Sequence, residues 1–369
     1  MGMYRARAQV DAIAACPWGA IRQDVDDGIV SRAYVFEHDK PALLTVAYSC
    51  LEGNYWGGGV ALVDARSDSQ CGWEHVCGFQ YDSGISNLVW CGEKSNLVAC
   101  ACDNGDIEVL QLSSDVEFAF HPVANGSGVG GMCTQQGRHG DVVTGISVSP
   151  FDSTRLASCS WDLSVKVWDL ASRTAAQVTL DGHTDLVWCV AWSPWTPSIL
   201  SSGSQDSTTQ LWDERVASMN ANILTLHSSC PVLSLDWHPH QETIISVGLE
   251  DGTLSTFDIR KSTNPLFEQA LHDRPIHALR YSPFHADLIA TASDDATIRV
   301  TDRSQAASTM RISSSVVAHH RDYVRGLDWY ASTRNRLPEK QVFLVSGSWD
   351  KTVRNHPIEM FASSQPPGF

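Results

Sequence analysis

The sequence predicts an all-β protein, a seven-bladed β-propeller, and three observations support this fold. Residues 139–213 contain one pattern twice, with a period of 44 residues that is typical of a four-stranded propeller blade. Apolar residues alternate within short segments, as expected for strands that bury one face. Weaker copies of the pattern precede and follow these two and bring the count to seven. A length of 369 residues and 43% hydrophobic residues suffice for one such closed architecture.

In each clear copy, a histidine precedes a serine by 19 positions, the serine precedes an aspartate by four, and the aspartate precedes a tryptophan by six. The eight residues are His139, Ser158, Asp162, Trp168, His183, Ser202, Asp206 and Trp212. A Trp-Asp pair ends each copy, and the pattern resembles the WD-repeat family. The resemblance implies that each set forms a buried hydrogen-bonded relay within its blade. A hydrolytic Ser-His-Asp set occurs once per enzyme, so the repetition favours the structural role.

The remaining repeats set the expected domain organisation. Repeat ends fall near residues 64, 111, 169, 213, 258, 302 and 357, and the diverged first repeat has strand-like segments at 33–36 and 43–47. We expect an N-terminal extension over residues 1–28, a single propeller over 29–363 and a C-terminal tail over 364–369. One terminus should donate the last strand, because an open sheet edge promotes aggregation. The sequence leaves open which terminus does so.

Composition narrows the classes of function. Forty-two acidic residues against 26 basic ones give a net charge of −16, which disfavours direct binding of nucleic acid and suits basic protein partners. No apolar run is long enough to span a bilayer, so no membrane association is predicted. The 11 cysteines include no Cys-x-x-Cys pair, which indicates a reducing compartment, cytoplasmic and nuclear. The histidines lack metal-binding spacing, and we predict no catalytic, cofactor-binding or metal-binding residue.

Three segments resemble the WD-repeat subunit of the methylosome, the methylosome protein 50 family. They read Cys-Leu-Glu-Gly-Asn-Tyr-Trp-Gly-Gly at 50–58, Ser-Leu-Asp-Trp-His-Pro-His-Gln at 234–241, and His-Arg-Asp-Tyr-Val-Arg at 320–325. The last repeat also ends in His-Pro at 356–357 where Trp-Asp would stand. Members of that family are partners of the type II protein arginine methyltransferase, which dimethylates arginine symmetrically. The resemblance extends over roughly residues 40 to 357.

The resemblance implies that Trp56 is an anchor that inserts into the N-terminal barrel domain of the methyltransferase. Its neighbours Gly53, Asn54, Tyr55 and Gly57 complete the predicted partner-binding set. Asn54 stands where related proteins can carry a basic residue, so a charged contact there is absent or moved. An aromatic residue on a glycine-rich turn is also how interfaces place residues that dominate affinity. The alternative is that Trp56 folds back over the first blade as a lid.

This resemblance implies a non-catalytic scaffold that holds the methyltransferase in a hetero-oligomer, expected to be a hetero-octamer. The scaffold would present arginine-rich tails of histones and Sm-type proteins to the enzyme. S-adenosylmethionine would be bound by the partner enzyme only, since this chain shows no cofactor motif of its own.

Two other functions remain open at this stage. Residues 281–286 and the histidine pair at 319–320 suggest a propeller-type receptor for peroxisomal targeting peptides. Segments 212–215 and 257–260 match a Trp/Phe-Asp-x-Arg pattern used for docking by substrate receptors of cullin-type ubiquitin ligases. An arginine after the Trp-Asp pair also serves for local pairing in ordinary repeats.

Overall fold

Thirty strands make up the described part of the chain, and seven four-stranded sheets contain all but two of them. The structure is a computed structural model, which describes residues 3–6, 8–17, 19–24, 32–37, 43–52, 55–65, 73–92, 95–113, 118–123, 137–171, 176–216, 221–261, 264–285, 287–303, 313–332 and 341–358. Within these residues no helix is long and apolar enough to cross a membrane.

Each sheet is one blade, which runs from an inner strand at the central channel to an outer strand at the rim. Blade 1 contains β2 (Gln9–Ala15), β5 (Leu43–Glu52), β6 (Tyr55–Asp64) and β7 (Glu74–Tyr81). Blade 2 contains β8 (Ile85–Trp90), β9 (Leu97–Cys102), β10 (Ile107–Ser113) and β11 (Ala119–Pro122). Blade 3 contains β12 (Val143–Val148), β13 (Arg155–Ser160), β14 (Ser164–Asp169) and β15 (Val178–Asp181).

The other four blades repeat this arrangement. Blade 4 contains β16 (Val187–Trp192), β17 (Ile199–Ser204), β18 (Thr208–Asp213) and β19 (Asn222–His227). Blade 5 contains β20 (Val232–Trp237), β21 (Ile244–Leu249), β22 (Thr253–Asp258) and β23 (Phe267–Ala270). Blade 6 contains β24 (Ile276–Tyr281), β25 (Leu288–Ser293), β26 (Thr297–Asp302) and β27 (Ser313–His319). Blade 7 contains β28 (Val324–Ser332), β29 (Gln341–Ser348), β30 (Thr352–Pro357) and β1 (Met3–Arg5).

The seven blades form a closed ring. Inner strands of successive blades contact one another from β2 to β28, and β28 contacts β2 again. Seven clusters of buried apolar residues occur in the described part, one between each pair of neighbouring blades. Trp168 and Trp212, both 0% exposed, belong to two of these clusters. The seven-bladed propeller predicted from the sequence is confirmed.

The N-terminal strand β1 closes the ring by pairing antiparallel with β30, with Met3 opposite Arg354. The segment expected as an extension, residues 1–28, therefore includes β1 of blade 7 and β2 of blade 1, and the propeller begins before residue 29. Sequence reasoning missed both strands because neither carries the histidine or the Trp-Asp pair that marks a repeat. Residues 359–369, which include the expected tail, lie outside the described residues.

The first blade differs from expectation in a second respect. The segment 33–36 lies in β4 (Arg32–Glu37), which pairs with β3 (Gly19–Asp24) in a separate two-stranded sheet. In the sequence, these two strands come between β2 and β5. In blade 1 the inner position is taken by β2, which pairs with β5. Alternation of apolar residues predicts that a segment is a strand, but it does not identify the partner of that strand. The third strands end at Asp64, Ser113, Asp169, Asp213, Asp258, Asp302 and Pro357.

The turns between the second and third strands of blades 2 to 7 lie at one end of the channel, which we call the upper face. In four of these turns a non-glycine residue has a φ of 63° to 71°, namely Leu163, Ser207, Ala296 and Lys351. The preceding aspartate compensates this strained conformation in each case. In blade 3, Asp162 Oδ1 accepts the Ser164 N–H at 3.0 Å, and in blade 7, Asp350 Oδ1 accepts the Thr352 N–H at 2.9 Å.

The structure brings both predicted relays together beneath these turns. In blade 4, the His183 Nδ1–H donates to Asp206 Oδ2 at 2.8 Å, so His183 Nε2 is free to accept from Ser202 Oγ at 2.7 Å. The Trp212 Nε1–H then donates to Ser202 Oγ at 2.8 Å. In blade 3, the corresponding distances from His139 to Asp162 and Ser158, and from Trp168 to Ser158, are 2.9, 2.7 and 2.7 Å.

Blades 6 and 7 contain variants of the relay. In blade 6, His272 contacts Asp295 and Thr291, each at 2.9 Å, while Thr301 occupies the position of the tryptophan. In blade 7, Ser346 Oγ lies 2.9 Å from His320 Nε2 and 2.8 Å from His356 Nε2. His356 thus replaces the tryptophan as the last member. Its Nδ1 atom is buried without a hydrogen-bond partner among the described residues.

Electrostatics keep the relay carboxylates ionised and lower the pKa of His139, His320 and His356. Burial alone would raise the pKa of Asp206, but hydrogen bonds from His183 and Thr208 outweigh burial and hold the pKa well below its usual range. Burial lowers the pKa of His139 despite the nearby Asp162 carboxylate. Burial also lowers the pKa of His356 to about 4, and the neighbouring His320 and Arg354 act in the same direction.

Truncation tests the closure of the ring. A chain that begins at Gln9 lacks β1, which removes its pairing with β30 and the hydrogen bond from the Ala6 N–H to the Lys351 carbonyl at 2.8 Å. We expect the Tm of this chain to fall by several degrees and its aggregation to increase, because the edge of blade 7 becomes exposed. A chain that begins at Met3 is the control. Equal Tm values for the two chains would contradict closure by β1.

Ser202→Ala tests the relay of blade 4. The substitution leaves the Trp212 indole N–H and His183 Nε2 buried without a partner, so we expect a loss of about 3 kcal/mol in the free energy of unfolding. Urea denaturation measures this loss. Ser153→Ala, the same change at an exposed position, should change the free energy of unfolding little. Similar effects of the two variants would show that the relay contributes no stability.

The lowered pKa of His356 predicts a dependence of stability on pH. A histidine with a folded pKa of about 4 and an unfolded pKa of ~6.5 favours unfolding progressively as the pH falls between these values. We expect His356→Gln to reduce the drop in Tm between pH 7 and pH 5. His319→Gln removes an exposed neighbouring histidine and should leave that drop unchanged. Thermal unfolding at the two pH values measures both, and a drop unaltered in His356→Gln would refute the assignment.

Candidate functional site: the β5–β6 hairpin and the channel mouth

The hairpin formed by β5 and β6 is the longest second-to-third-strand pair of the described blades. Both strands have ten residues, whereas the corresponding strands of blades 3 to 6 have six. The register continues to Glu52 opposite Tyr55, so the hairpin extends beyond the turns of the neighbouring blades. Leu51 and Trp56 are directly opposite each other in this register and are 63% and 42% exposed. The hairpin therefore presents two apolar side chains on one face.

Trp56 is held in place by blade 2. The Trp56 Nε1–H donates a hydrogen bond to Asp103 Oδ2, in the turn between β9 and β10. The indole packs closely against Gly84, where a Cβ atom would overlap both Trp56 and Asp103. Burial raises the pKa of Asp103, while the bond from Trp56 opposes this shift. The side chain of Trp56 thus leans over the channel towards blade 2, with part of its ring still exposed.

The glycines that follow Trp56 have different roles. A Cβ at Gly58 or Gly59 would overlap main-chain oxygens of neighbouring strands, so a larger residue would separate β6 from β5 and β7. Gly57, the predicted site residue, has room for a Cβ, whose nearest neighbour would be the Tyr81 carbonyl at 3.4 Å. Gly53 and Asn54 lie outside the described residues, as does the side chain of Tyr55.

The hairpin borders a cavity of about 550 Å³ at the upper end of the channel. We call its upper rim the channel mouth, defined by Asp11, Trp56, Asp103, Trp161, Trp188, His277, Arg325 and Trp349. The inner strands of all seven blades line the cavity below the mouth. Three mouth residues directly follow the second strand of their blade: Asp103, Trp161 and Trp349. This common position relative to the repeat is the sequence signal that could have identified them.

The arginines of the Trp/Phe-Asp-x-Arg segments pair within their own repeats. Arg215 Nη2 lies 2.6 Å from Asp213 Oδ2, and Arg260 Nη2 lies 2.6 Å from Asp258 Oδ2. The side chains of the two arginines are 69% and 70% exposed. Each aspartate ends the third strand of its blade, and its arginine neighbour stabilises the turn that follows.

The histidine, serine and tryptophan side chains of the relays are buried, and they stabilise the blades through hydrogen bonds. His139 and His183 have fully buried side chains, and their serine and tryptophan partners are 0% exposed. No group of three or more His, Cys, Asp or Glu residues in the described ranges could hold a metal ion. The nine cysteines of those ranges are free thiols.

Comparison with known protein families identifies the repeats. The family described as WD domain, G-beta repeat, matches residues 131–169 and 312–355. The family described as the N-terminal domain of nucleolar protein 10-like proteins, a β-propeller, matches residues 182–325. Both matches fall on blades that the structure contains.

Similar individual proteins include one that matches along most of the chain. Methylosome protein WDR77 from Xenopus laevis is 29% identical over 317 residues, which are 85% of this chain and 85% of the relative. Ribosome biogenesis protein ytm1 from Pyrenophora tritici-repentis is 24% identical over 273 residues, 73% of this chain and 56% of its own length. Histone acetyltransferase type B subunit 2 from Aspergillus oryzae is 31% identical over 96 residues, 24% of this chain and 22% of its own.

These matches confirm the resemblance inferred from the three sequence segments. The relatives share repeats and blade architecture, and proteins of this kind are generally scaffolds that bind other proteins. The chain is a seven-bladed β-propeller that contains WD repeats, and it is similar to methylosome protein WDR77 over 85% of its length.

Proposed function

We propose that the chain is a non-catalytic scaffold that binds a symmetrically dimethylating (type II) protein arginine methyltransferase through the β5–β6 hairpin. In this assembly, a hetero-octamer in our proposal, the chain supports methylation of arginine-rich tails of histones and Sm-type proteins. S-adenosylmethionine is bound by the partner enzyme. The observation that carries the proposal is the protruding hairpin with exposed Leu51 and Trp56. The likeness to a protein named as a methylosome component supports the choice of partner.

The geometry of Trp56 suits an anchor. Residues that dominate the affinity of protein interfaces are often tryptophans that enter a pocket of the partner. Ordering a free side chain on binding costs free energy, and the bond to Asp103 reduces this cost because it already limits the rotation of the indole. Leu51, opposite Trp56, would add apolar area to the same contact. The close packing of Gly58 and Gly59 holds the two strands in fixed register beneath it.

The charge of the chain supports the choice of substrates. A net charge of −16 attracts basic segments and accelerates their encounter with the surface. Tails that contain many arginines carry the complementary charge. A scaffold of this kind raises the local concentration of the tail near the active site of the bound enzyme. This role requires no reacting residue on the propeller itself.

Trp56→Ala tests the proposal by co-purification with the cognate type II methyltransferase. The substitution removes the anchor, and we expect at least a tenfold loss of affinity, about 1.4 kcal/mol or more, measured by biolayer interferometry. Size-exclusion chromatography of the wild-type mixture should show a complex that the variant does not form.

Trp195→Ala is the matched control. Trp195 is 38% exposed, similar to Trp56, but it lies in the turn between β16 and β17 at the other end of the channel. This variant should bind as the wild type does. A wild-type chain that elutes apart from the enzyme would refute the proposal, and a labelled peroxisomal targeting peptide would then test the receptor alternative. Wild-type binding together with unchanged binding of Trp56→Ala would place the contact elsewhere.

A further inference from the structure

The channel mouth combines aromatic and acidic side chains around an open cavity. Four of the 13 tryptophans are there, contributed by blades 1, 3, 4 and 7. Trp161 and Trp188 contact edge to face with ring centroids 5.4 Å apart, and His277 extends this row at 6.0 Å from Trp188. The cavity volume lies within the range of ~300–1,000 Å³ that is typical of small-ligand sites.

The side chain of Arg325 shows that the mouth can accommodate a guanidinium group. The guanidinium of Arg325 lies 5.1 Å from the ring centroid of Trp349 and 5.7 Å from that of Tyr323. Its Nη2 atom donates to Asp294 Oδ2 at 3.0 Å. A guanidinium on aromatic rings with a carboxylate at its edge is a favourable arrangement, because the rings attract the cation and the carboxylate accepts its N–H groups.

Two carboxylates of the mouth, Asp11 and Asp103, form no ion pair with any residue that the structure describes. Asp11 Oδ1 accepts the Trp349 Nε1–H at 2.9 Å, and Asp103 Oδ2 accepts the Trp56 Nε1–H. Neither carboxylate forms a salt bridge with a described residue, since Arg325, the arginine of the mouth, pairs with Asp294. The Trp161 Nε1–H is also buried without a partner among the described residues. The mouth thus carries negative charge that its own cation does not balance.

We propose that the channel mouth is a binding site for one arginine side chain of an extended basic peptide. The guanidinium lies against the tryptophan rings, and the charges of Asp11 and Asp103 attract it. The cavity below the mouth provides room for the side chain, while the peptide backbone crosses the upper face. The mouth residues come from six blades, 1, 2, 3, 4, 6 and 7, and the site gives them a role that neither the relay nor the ring closure requires.

This inference deepens the proposed function by naming where the basic substrate binds, and it rests on that function only for the identity of the peptide. The cavity, its rings and its unpaired carboxylates are properties of the chain alone. Binding is therefore measured without the methyltransferase. A failure of the peptide to bind would leave the hairpin contact intact, and a failure of co-purification would leave the cavity intact.

The experiment is calorimetric titration of the full chain with a capped nine-residue Gly/Ser peptide that has one central arginine. The matched peptide has citrulline, which is neutral and nearly the same shape. We expect saturable binding of the arginine peptide and at least about tenfold weaker binding of the citrulline peptide. A lysine peptide tests whether a planar guanidinium is preferred over an ammonium group.

Asp11→Asn is the corresponding change in the protein. It removes the charge, and its amide oxygen can still accept the Trp349 N–H, so we expect the variant to fold. Affinity for the arginine peptide should fall by about fivefold or more, while affinity for the citrulline peptide stays the same. Asp181→Asn removes an equal charge at an exposed position of blade 3 and is the control. If Asp11→Asn does not fold, the comparison of the two peptides on the wild type decides.

The site also predicts a dependence on pH. Burial raises the pKa of Asp11 to about 7; bonds from Ser49 and Trp349 and the charge of Arg325 act against this, and the charge of Asp103 adds to it. The charged form therefore increases between pH 6 and pH 8, and affinity for the arginine peptide should rise over this range by up to about tenfold. In Asp11→Asn the rise should be smaller. Equal affinities of the arginine and citrulline peptides, or no change in Asp11→Asn relative to Asp181→Asn, would overturn the proposal.

Discussion

The carboxylate in the second-to-third-strand turn of four blades is the constraint on which the propeller depends most. In blades 3, 4, 6 and 7 one aspartate accepts a main-chain N–H within the turn through one oxygen and a histidine N–H through the other. The first bond stabilises a residue at positive φ, and the second fixes the tautomer of the histidine. In blades 2 and 5 the residues at positive φ are glycines, Gly105 and Gly252. These turns still have a bond of the first kind, from the Asp106 N–H to Asn104 Oδ1 at 3.0 Å and from the Thr253 N–H to Asp251 Oδ1 at 2.9 Å.

How far the sequence predicts the structure depends on the type of signal. The relay of blades 3 and 4 was predictable because equal spacings recur, and the spacing from His272 through Thr291 to Asp295 repeats them in blade 6. In blade 7 the residues between β28 and β29 lengthen the interval from His320 to Ser346, so the spacing no longer identifies the set. The role of β1 was not predictable from repeats, because its pairing with β30 spans more than 300 residues and leaves no local pattern. The role of β2 was not predictable because β3 and β4 separate it in sequence from its partner β5. The mouth was missed because its residues differ in type from blade to blade.

The hairpin and the channel mouth share two residues, Trp56 and Asp103, and this links the two proposed functions physically. One hydrogen bond joins them, so a partner that holds the indole in place also holds the Asp103 carboxylate at the edge of the cavity. Docking of an enzyme and capture of a cation would then be coupled through this bond. The coupling is positive where the held carboxylate faces the cation.

Closure by β1 gives the chain an order of assembly. β1 is synthesised before all the other described strands and must wait for β30, its partner in the described part of the ring. Until then β1 is an unpaired segment, and blades 1 and 7 lack their common interface. Neighbouring blades bury their shared clusters as they emerge, but the ring itself forms in a single late step. A chain released early would therefore carry two open ends with exposed apolar surface, which makes incomplete products good substrates for chaperones and proteases.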